Sequence, residues 1–286
     1  MGSLFLQAIV SGLLMGGVYS LMATGLTLIF GVMKVVNLAH GEMMMLGMAI
    51  SYWLFTLVGI DPYLSIPVSI FLLFLLGFLI QRFLINPILN ASEHMQILVT
   101  LGVSLILTNS ALLLWGPNIR SVTTGYSLET LWIGEIVLDL PRVVAFLFAL
   151  FFTFLLYLLL RKTELGKAIR ASADNPEAAL LVGIEVNRIY PISFGIGAAC
   201  VGAAGSLIIP FYDLTPHVGP SFTMIAFTII IFGGMGSLSG ALIGGLLVGM
   251  AESVGAVLLS SSLKSVVSMT LLVLVLLFKP RGLFGK

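Results

Sequence analysis

Residues 4–33, LFLQAIVSGLLMGGVYSLMATGLTLIFGVM, contain no charged side chain. As one helix the stretch reaches about 45 Å at about 1.5 Å per residue, longer than a hydrocarbon core of about 30 Å. Glycines interrupt it at Gly12, Gly16, Gly17, Gly25 and Gly31. The expected form is a complete membrane crossing followed by a broken or half-crossing piece. Met1 to Gln7 carries no basic residue, and the apolar run continues far past the length of a signal-peptide h-region. It therefore reads as a retained first span.

The same apolar character extends along the whole chain. Of 286 residues, 59% are hydrophobic and 9% charged, against about 25% charged in soluble domains. A surface with so few charges must be covered largely by lipid, and the length allows roughly eight to ten spans of about 20 residues. The predicted fold class is all-α: a polytopic membrane protein with about eight to ten transmembrane or broken helices, forming one domain over residues 1–286. Further spans are expected at Met43 to Ile60, Tyr63 to Ile80, His94 to Trp115, Val143 to Leu160 and Ile189 to Pro210. Leu214 to Ala251 is uncharged and too long for one crossing. The cluster holding Gly233, Gly234, Gly236 and Ser237 is the expected break within it. A short last helix is expected from about Leu263 to Phe278, with Lys264 snorkelling at one end. Glu252 and Lys264 each read as marking the end of a span. Cys200 lies alone in an apolar run, which excludes a disulfide framework or cysteine metal cluster. No metal, cofactor or nucleic-acid partner is expected.

Lys and Arg in short loops set orientation. Arg161, Lys162, Lys167, Arg170 and Arg188 fall in the 161–188 loop, and Lys279, Arg281 and Lys286 in the tail. The 116–142 loop is acid-rich, with Glu129, Glu135 and Asp139. The 161–188 loop and the tail are thus expected in the cytoplasm and the 116–142 loop outside. About nine spans with the N-terminus outside satisfy these assignments.

Three segments could carry mechanism. In the 161–188 loop, Asn175 can cap a helix, Pro176 suits its first position and Glu177 faces the positive end of the dipole. Gly183 is placed to stop it. The enclosed Ala178-Ala179-Leu180-Leu181-Val182 gives a two-turn helix with an apolar surface outside the membrane. Such a helix needs a neighbour, either a partner protein or Leu165, Ala168 and Ile169 of its own loop. The second segment is Lys34 to Glu42, with Asn37, His40, Gly41 and Glu42 between two apolar runs. It is either a gate in a pathway or an interfacial turn with solvated charges; the topology puts it near the cytoplasmic end. The third is the Gly/Ser cluster from Gly233, which suits close helix packing, the more common explanation, or room for a passing solute or a broken helix. Ile29 to Met33 also resembles Ile231 to Met235, which is either a structural repeat or chance in a chain this rich in Gly, Ile and Met.

Phosphate-loop, H-E-x-x-H and G-x-S-x-G patterns are absent, and the histidines are scattered at 40, 94 and 217. The chain is therefore not expected to hydrolyse ATP or to act as an enzyme.

Several stretches, in order along nearly the whole chain, resemble one family. They are GLTLIFGVMKVVNLAHGE at 25–42, GKAIRA at 166–171, NPEAA at 175–179 with Gly183-Ile184, FGGMGSLSGA at 232–241 and KPRGLFG at 279–285. Together they resemble the branched-chain amino-acid ABC-importer permeases, the LivH-type subunit in particular. The resemblance implies a homologous second permease subunit, two cytoplasmic ATP-binding subunits, an extracytoplasmic solute-binding protein and a bacterial inner-membrane location. It also implies that Glu177, Ala178, Ala179, Leu180 and Gly183 form the coupling contact with the ATPase subunit. Glu177-Ala178-Ala179 with Gly183 is similar to the E-A-A-x-x-x-G part of the importer coupling loop. The I-x-L-P that follows in the family is not matched, and Pro191 arrives early.

The expected function is therefore a permease subunit for branched-chain, small apolar amino acids. Urea and short-amide permeases share much of the pattern. A stand-alone secondary transporter would require ion-coupling acids inside spans, and none reads firmly as mid-span. A membrane enzyme would require a metal or nucleophile cluster. A purely structural anchor would not require so many broken, Gly-rich segments.

Overall fold

A computed structural model of the chain describes residues 2–260, 264–279 and 282–284. The helices are α1 (Gly2–Met33), α2 (His40–Val58), α3 (Ile66–Ile80), α4 (Glu93–Trp115), α5 (Leu140–Lys162), α6 (Glu164–Asp174), α7 (Pro176–Leu181), α8 (Val186–Ile208), α9 (Gly219–Gly233), α10 (Leu238–Leu258) and α11 (Lys264–Phe278). Helix α3 continues through a π turn, Gln81–Ile85, and a 3-10 turn, Asn86–Ile88. Strands β1 (Thr130–Ile133) and β2 (Ile136–Asp139) form an antiparallel hairpin pairing Thr130 with Asp139 and Ile133 with Ile136. That hairpin, inside the 116–142 loop, was not foreseen from sequence.

Seven helices are long and apolar enough to cross a membrane, and α9 and α11 are shorter apolar helices. Their contacts sort the ends onto two sides. On one side Gln7, at the start of α1, accepts from the Val137 N–H at 2.9 Å. Tyr63 Oη donates to the Pro141 carbonyl there, and Arg120 and Leu214 exchange backbone hydrogen bonds. This is the hairpin side. On the other, Gly31 approaches Gly236, and the Leu283 and Phe284 N–H groups bond the Phe232 and Gly233 carbonyls. Helices α6 and α7 lie on that α7 side. Helix α1 thus runs from the hairpin side to the α7 side, and Leu283 and Phe284 lie on the α7 side.

Helices α1 and α8 form the interior, while α4 and α5 turn most of their surface outward. The expectation of a break within residues 4–33 is corrected: α1 is continuous through Met33. Its glycines serve close packing instead. A Cβ at Gly12 would lie 2.7 Å from the Met250 Cα, and one at Gly16 2.8 Å from the Leu246 Cα, so α1 and α10 pack backbone to backbone. Helices α2, α3 and α8 are joined by a buried hydroxyl chain: Ser65 donates to Ser51 at 2.6 Å, Ser51 to Ser206 at 2.7 Å and Ser206 to Ser69 at 2.7 Å. With no hydrophobic driving force between helices in lipid, such contacts hold the bundle.

The Gly/Ser cluster breaks the 214–251 run as expected. Helix α9 ends at Gly233 and α10 begins at Leu238, with Gly234 and Gly236 at φ 100° and 85° and the Ser237 hydroxyl capping the Gly240 N–H. The similar pentapeptides at 29–33 and 231–235 both close helices on the α7 side. Lys264 opens α11, but its side chain lies outside the described residues, as do Pro280, Arg281, Gly285 and Lys286 of the closing segment.

Candidate translocation and coupling sites

After Met33 the chain reverses. Lys34, at φ 57°, is the one non-glycine residue with positive φ among those described. Residues 34–37 have no regular structure, and residues 38 and 39 form a turn. At α2's first residue, His40 Nε2 lies 3.0 Å from the Met22 carbonyl oxygen. Met22 precedes Met33 by about 16 Å of helix. Residues 34–39 therefore climb back alongside α1, and α2 starts at the depth of α1's interior. This corrects the expectation of a segment near the cytoplasmic end: Asn37, His40 and Glu42 are buried rather than solvated.

Non-helical backbone at membrane depth must find partners within the protein. Here the Val36 carbonyl accepts from Thr100 Oγ1 at 3.0 Å, and the Ala39 N–H donates to Asn37 Oδ1 at 3.1 Å. The Gly41 N–H donates to Thr223 Oγ1 at 2.9 Å, and that hydroxyl faces the Leu38 carbonyl at 3.3 Å. Helix α9 begins at this same depth: a Cβ on Gly219 would lie 2.9 Å from Glu42 N and Cγ. The first turns of α2 and of the shorter α9 thus meet inside the bundle around Gly41, Glu42, Gly219 and Thr223.

Glu42 accepts a 2.7 Å bond from Ser104 Oγ of α4, with Thr223 Oγ1 at 3.5 Å from its other oxygen. The Met22 carbonyl can only accept, so His40 carries its proton on Nε2. In the neutral ring that leaves His40 Nδ1 as an acceptor, and with Asn37 Nδ2 and Thr27 Oγ1 it has no partner among the described residues. One unpaired donor and one unpaired acceptor thus lie three residues apart at the break.

Glu252, expected at a span end, is buried in α10. It accepts from Tyr19 Oη of α1 at 3.0 Å and from Ser268 Oγ of α11. Interior acids therefore exist, which corrects the expectation that none lies within a span. Among these groups Ser104, Thr223, Tyr19 and Ser268 were missed. Isolated hydroxyls in apolar runs give no local signal, though Gly219-Pro220 inside the uncharged run marks a helix start.

Gly233, Gly234, Gly236 and Ser237 do not join this cluster. They sit at the other end of α9, about 21 Å away along its axis. A Cβ on Gly233 would collide with the Gly240 carbonyl, so close packing explains it.

The candidate coupling segment has the expected local form. Asn175 Oδ1 caps the Ala178 N–H at 3.0 Å, and Pro176 opens α7. The Gly183 N–H bonds the Leu180 carbonyl and the Ile184 N–H the Ala179 carbonyl, both at 3.0 Å, with Gly183 at φ 86°. That is a Schellman ending. Ala179 packs inward, while Leu180, Leu181 and Val182 are exposed, Leu181 at 89%. Packing on α6 therefore covers only part of the apolar surface. Helix α6 holds α7 to the bundle: a Cβ on Gly166 would strike the Leu159 and Leu160 carbonyls, and Arg170 Nη1 donates to the Leu160 carbonyl.

Residues 8–276 match the family described as "Branched-chain amino acid transport system / permease component". The chain belongs to this family. It is 32% identical to the high-affinity branched-chain amino acid transport system permease protein BraD of Pseudomonas aeruginosa, over 99% of this chain and 96% of that protein. It is 33% identical to the permease proteins LivH of Escherichia coli K12 and of Salmonella typhimurium, in each case over 99% of this chain and 96% of the relative. No solved structure matches it. The chain is thus a multi-pass membrane permease component of an ABC import system.

Proposed function

We propose that this permease conducts branched-chain amino acids across the cytoplasmic (inner) membrane of a bacterium as one subunit of an ATP-driven assembly. It pairs with a homologous second permease, takes solute from an extracytoplasmic binding protein and docks cytoplasmic ATP-binding subunits, two per assembly, on α7. The hairpin side faces outward and the α7 side inward, in keeping with Arg161, Lys162, Lys167, Arg170 and Arg188 on the α7 side.

The observation that carries the coupling is the exposed Leu180, Leu181 and Val182 on a helix capped at both ends. A two-turn helix with three exposed aliphatic side chains is built to be covered. Glu177, Ala178, Ala179 and Gly183 shape it, and Leu180 and Leu181 supply its contact. Closure of the ATP-binding subunits pushes α7, and α6 transmits the push to α1, α5 and α8, which it touches. Rigid-body displacement of packed helices then alternates access. The break formed by Asn37, His40, Gly41 and Glu42 is the gate at mid-depth, where the unpaired Asn37 Nδ2 and His40 Nδ1 meet a polar end of the solute. Gly233, Gly234, Gly236 and Ser237 form the inner turn that lets α9 and α10 pivot.

The test is capture of the ATP-binding subunit by the purified chain. Leu181→Asp removes apolar contact from α7 without touching the bundle. It should weaken capture about tenfold or more, the equivalent of 1.4 kcal/mol. Undiminished capture and undiminished solute-stimulated ATPase activity would refute α7 as the docking element.

A further inference from the structure

On the α7 side, a cavity of about 620 Å³ opens between the end of α1, helix α6 and the α9–α10 turn. Lys34, Arg170 and Asp174 line it, along with apolar groups such as Val32 and Ile169 and the hydroxyl-bearing Thr27. None of the three charged residues belongs to an ion pair among the described residues, where the three pairs present all join other groups. Asp174 is the last residue of α6, at the negative end of the helix dipole, and no basic residue stands in that turn. Asp174 is exposed, as are Lys34 and Arg170, so its carboxylate is open to a cation entering the cavity. Arg170 uses one nitrogen on the Leu160 carbonyl and keeps other donors. Thr27 is 1% exposed, lines the cavity and has no partner for its Oγ1. An unsatisfied buried hydroxyl at a cavity wall is costly unless something else engages it.

Both signs of charge, an unpaired hydroxyl and aliphatic walls match one ligand class. We propose that this cavity binds a zwitterionic α-amino acid with a branched aliphatic side chain. Its carboxylate faces Lys34 and Arg170, its ammonium Asp174, and its side chain Val32 and Ile169. The inference rests on the amino-acid reading above and on the α7 side being cytoplasmic. The ligand is then the released solute, held at the inner mouth between α1 and the helix that carries α7.

The test is equilibrium binding of radiolabelled L-leucine to the full chain in lipid nanodiscs. Leucinamide, which lacks the carboxylate, and 4-methylpentanoate, which lacks the ammonium, are competitors, as is inorganic phosphate. Leucine should bind, and none of the three should displace it at equal concentration. D174N should weaken binding about tenfold, and T27V, which keeps the side-chain shape, about threefold to tenfold. K34Q gives a third variant at an exposed position and should weaken binding in the same direction. Unchanged affinity in folded D174N and T27V would overturn the proposal, because leucine would then sit elsewhere. Full displacement by phosphate or 4-methylpentanoate would reduce the cavity to an anion site and overturn it too. Uptake of leucine by the complete importer, with no binding to this chain, sinks this inference alone. A complete importer that takes up no leucine, isoleucine or valine sinks the amino-acid reading and this inference with it.

Discussion

Gly41 has no room for a side chain. A Cβ there would run into the Gly219 carbonyl and sit 2.6 Å from the Thr223 N and Oγ1, all of them parts of α9's first turns. Backbone cannot retreat as a flexible side chain can, so Gly41→Ala must separate α2 from α9. It should cost about 3 kcal/mol or more, the upper end of overpacking, read as a fall in thermal midpoint in mild detergent. Gly102→Ala in α4 meets nothing within 4 Å and should be neutral or stabilising by up to about 1 kcal/mol. Equal midpoints for the two variants would contradict the packing described. Thr223→Val keeps the shape but strands the Gly41 N–H and should cost about 1 to 3 kcal/mol, while Thr223→Ser should recover most of it. At this scale the sequence was half legible. Asn37, His40 and Glu42 stood out because ionisable and amide groups between apolar runs are rare. Thr223 and Ser104 did not, because what gives them meaning is a partner on another helix. Glu252 was misread because helix ends and buried polar clusters look alike in a one-dimensional run.

Element ends were more legible than element depths. Asn175, Pro176 and Gly183 bounded α7 because capping chemistry is local, and the same held for Ser237 and its glycines. The depth of residues 34–39 was not legible, because six residues of extended chain can cross an interface or climb back about 20 Å along a helix equally well. Orientation can be tested at positions the fold leaves open. Cys200 is buried, so a single added cysteine dominates labelling. Ser172 and Thr124 are buried and would report poorly, whereas Ala178 and Leu128 are exposed. A cysteine at Leu128 should react with a membrane-impermeant thiol reagent in intact cells, and one at Ala178 only after permeabilisation; the reverse would invert the topology. The hairpin side also holds a pH-sensitive latch. Tyr126 Oη donates to Asp61 Oδ2 at 2.8 Å, and its ring stacks on Tyr63. Burial, followed by the Asp61 hydrogen bond, raises the Tyr126 phenol above its ordinary 10.0; burial, then Tyr126 and Asp61, raises Tyr63. The folded state therefore holds these protons more tightly than the unfolded one. The latch's contribution is complete below pH 10 and is lost as pH rises through the folded values. Phenolate absorbance should appear at higher pH in the folded chain than after denaturation, and Tyr126→Phe should reduce that difference.

Across the whole molecule, composition alone decided the class, since 9% charged residues cannot make a water-facing surface of this size. The internal order was less accessible. Residues 4–33 looked too long and too glycine-rich for one helix, yet α1 is continuous because its glycines admit α10 and α8 rather than interrupting the backbone. Length was a poor guide where a helix is buried along most of its course. The sequence holds no phosphate loop with which to harvest ATP, and the proposed docking helix α7 leaves Leu180, Leu181 and Val182 exposed. The direct test is uptake by proteoliposomes. The chain alone should fail to accumulate leucine, isoleucine or valine under any ion gradient. Adding the second permease, the ATP-binding subunits, the external binding protein and ATP on the α7 side should produce accumulation. Concentrative uptake by the lone chain, with Glu42 or Glu252 required for it, would contradict the account and make this an ion-coupled transporter.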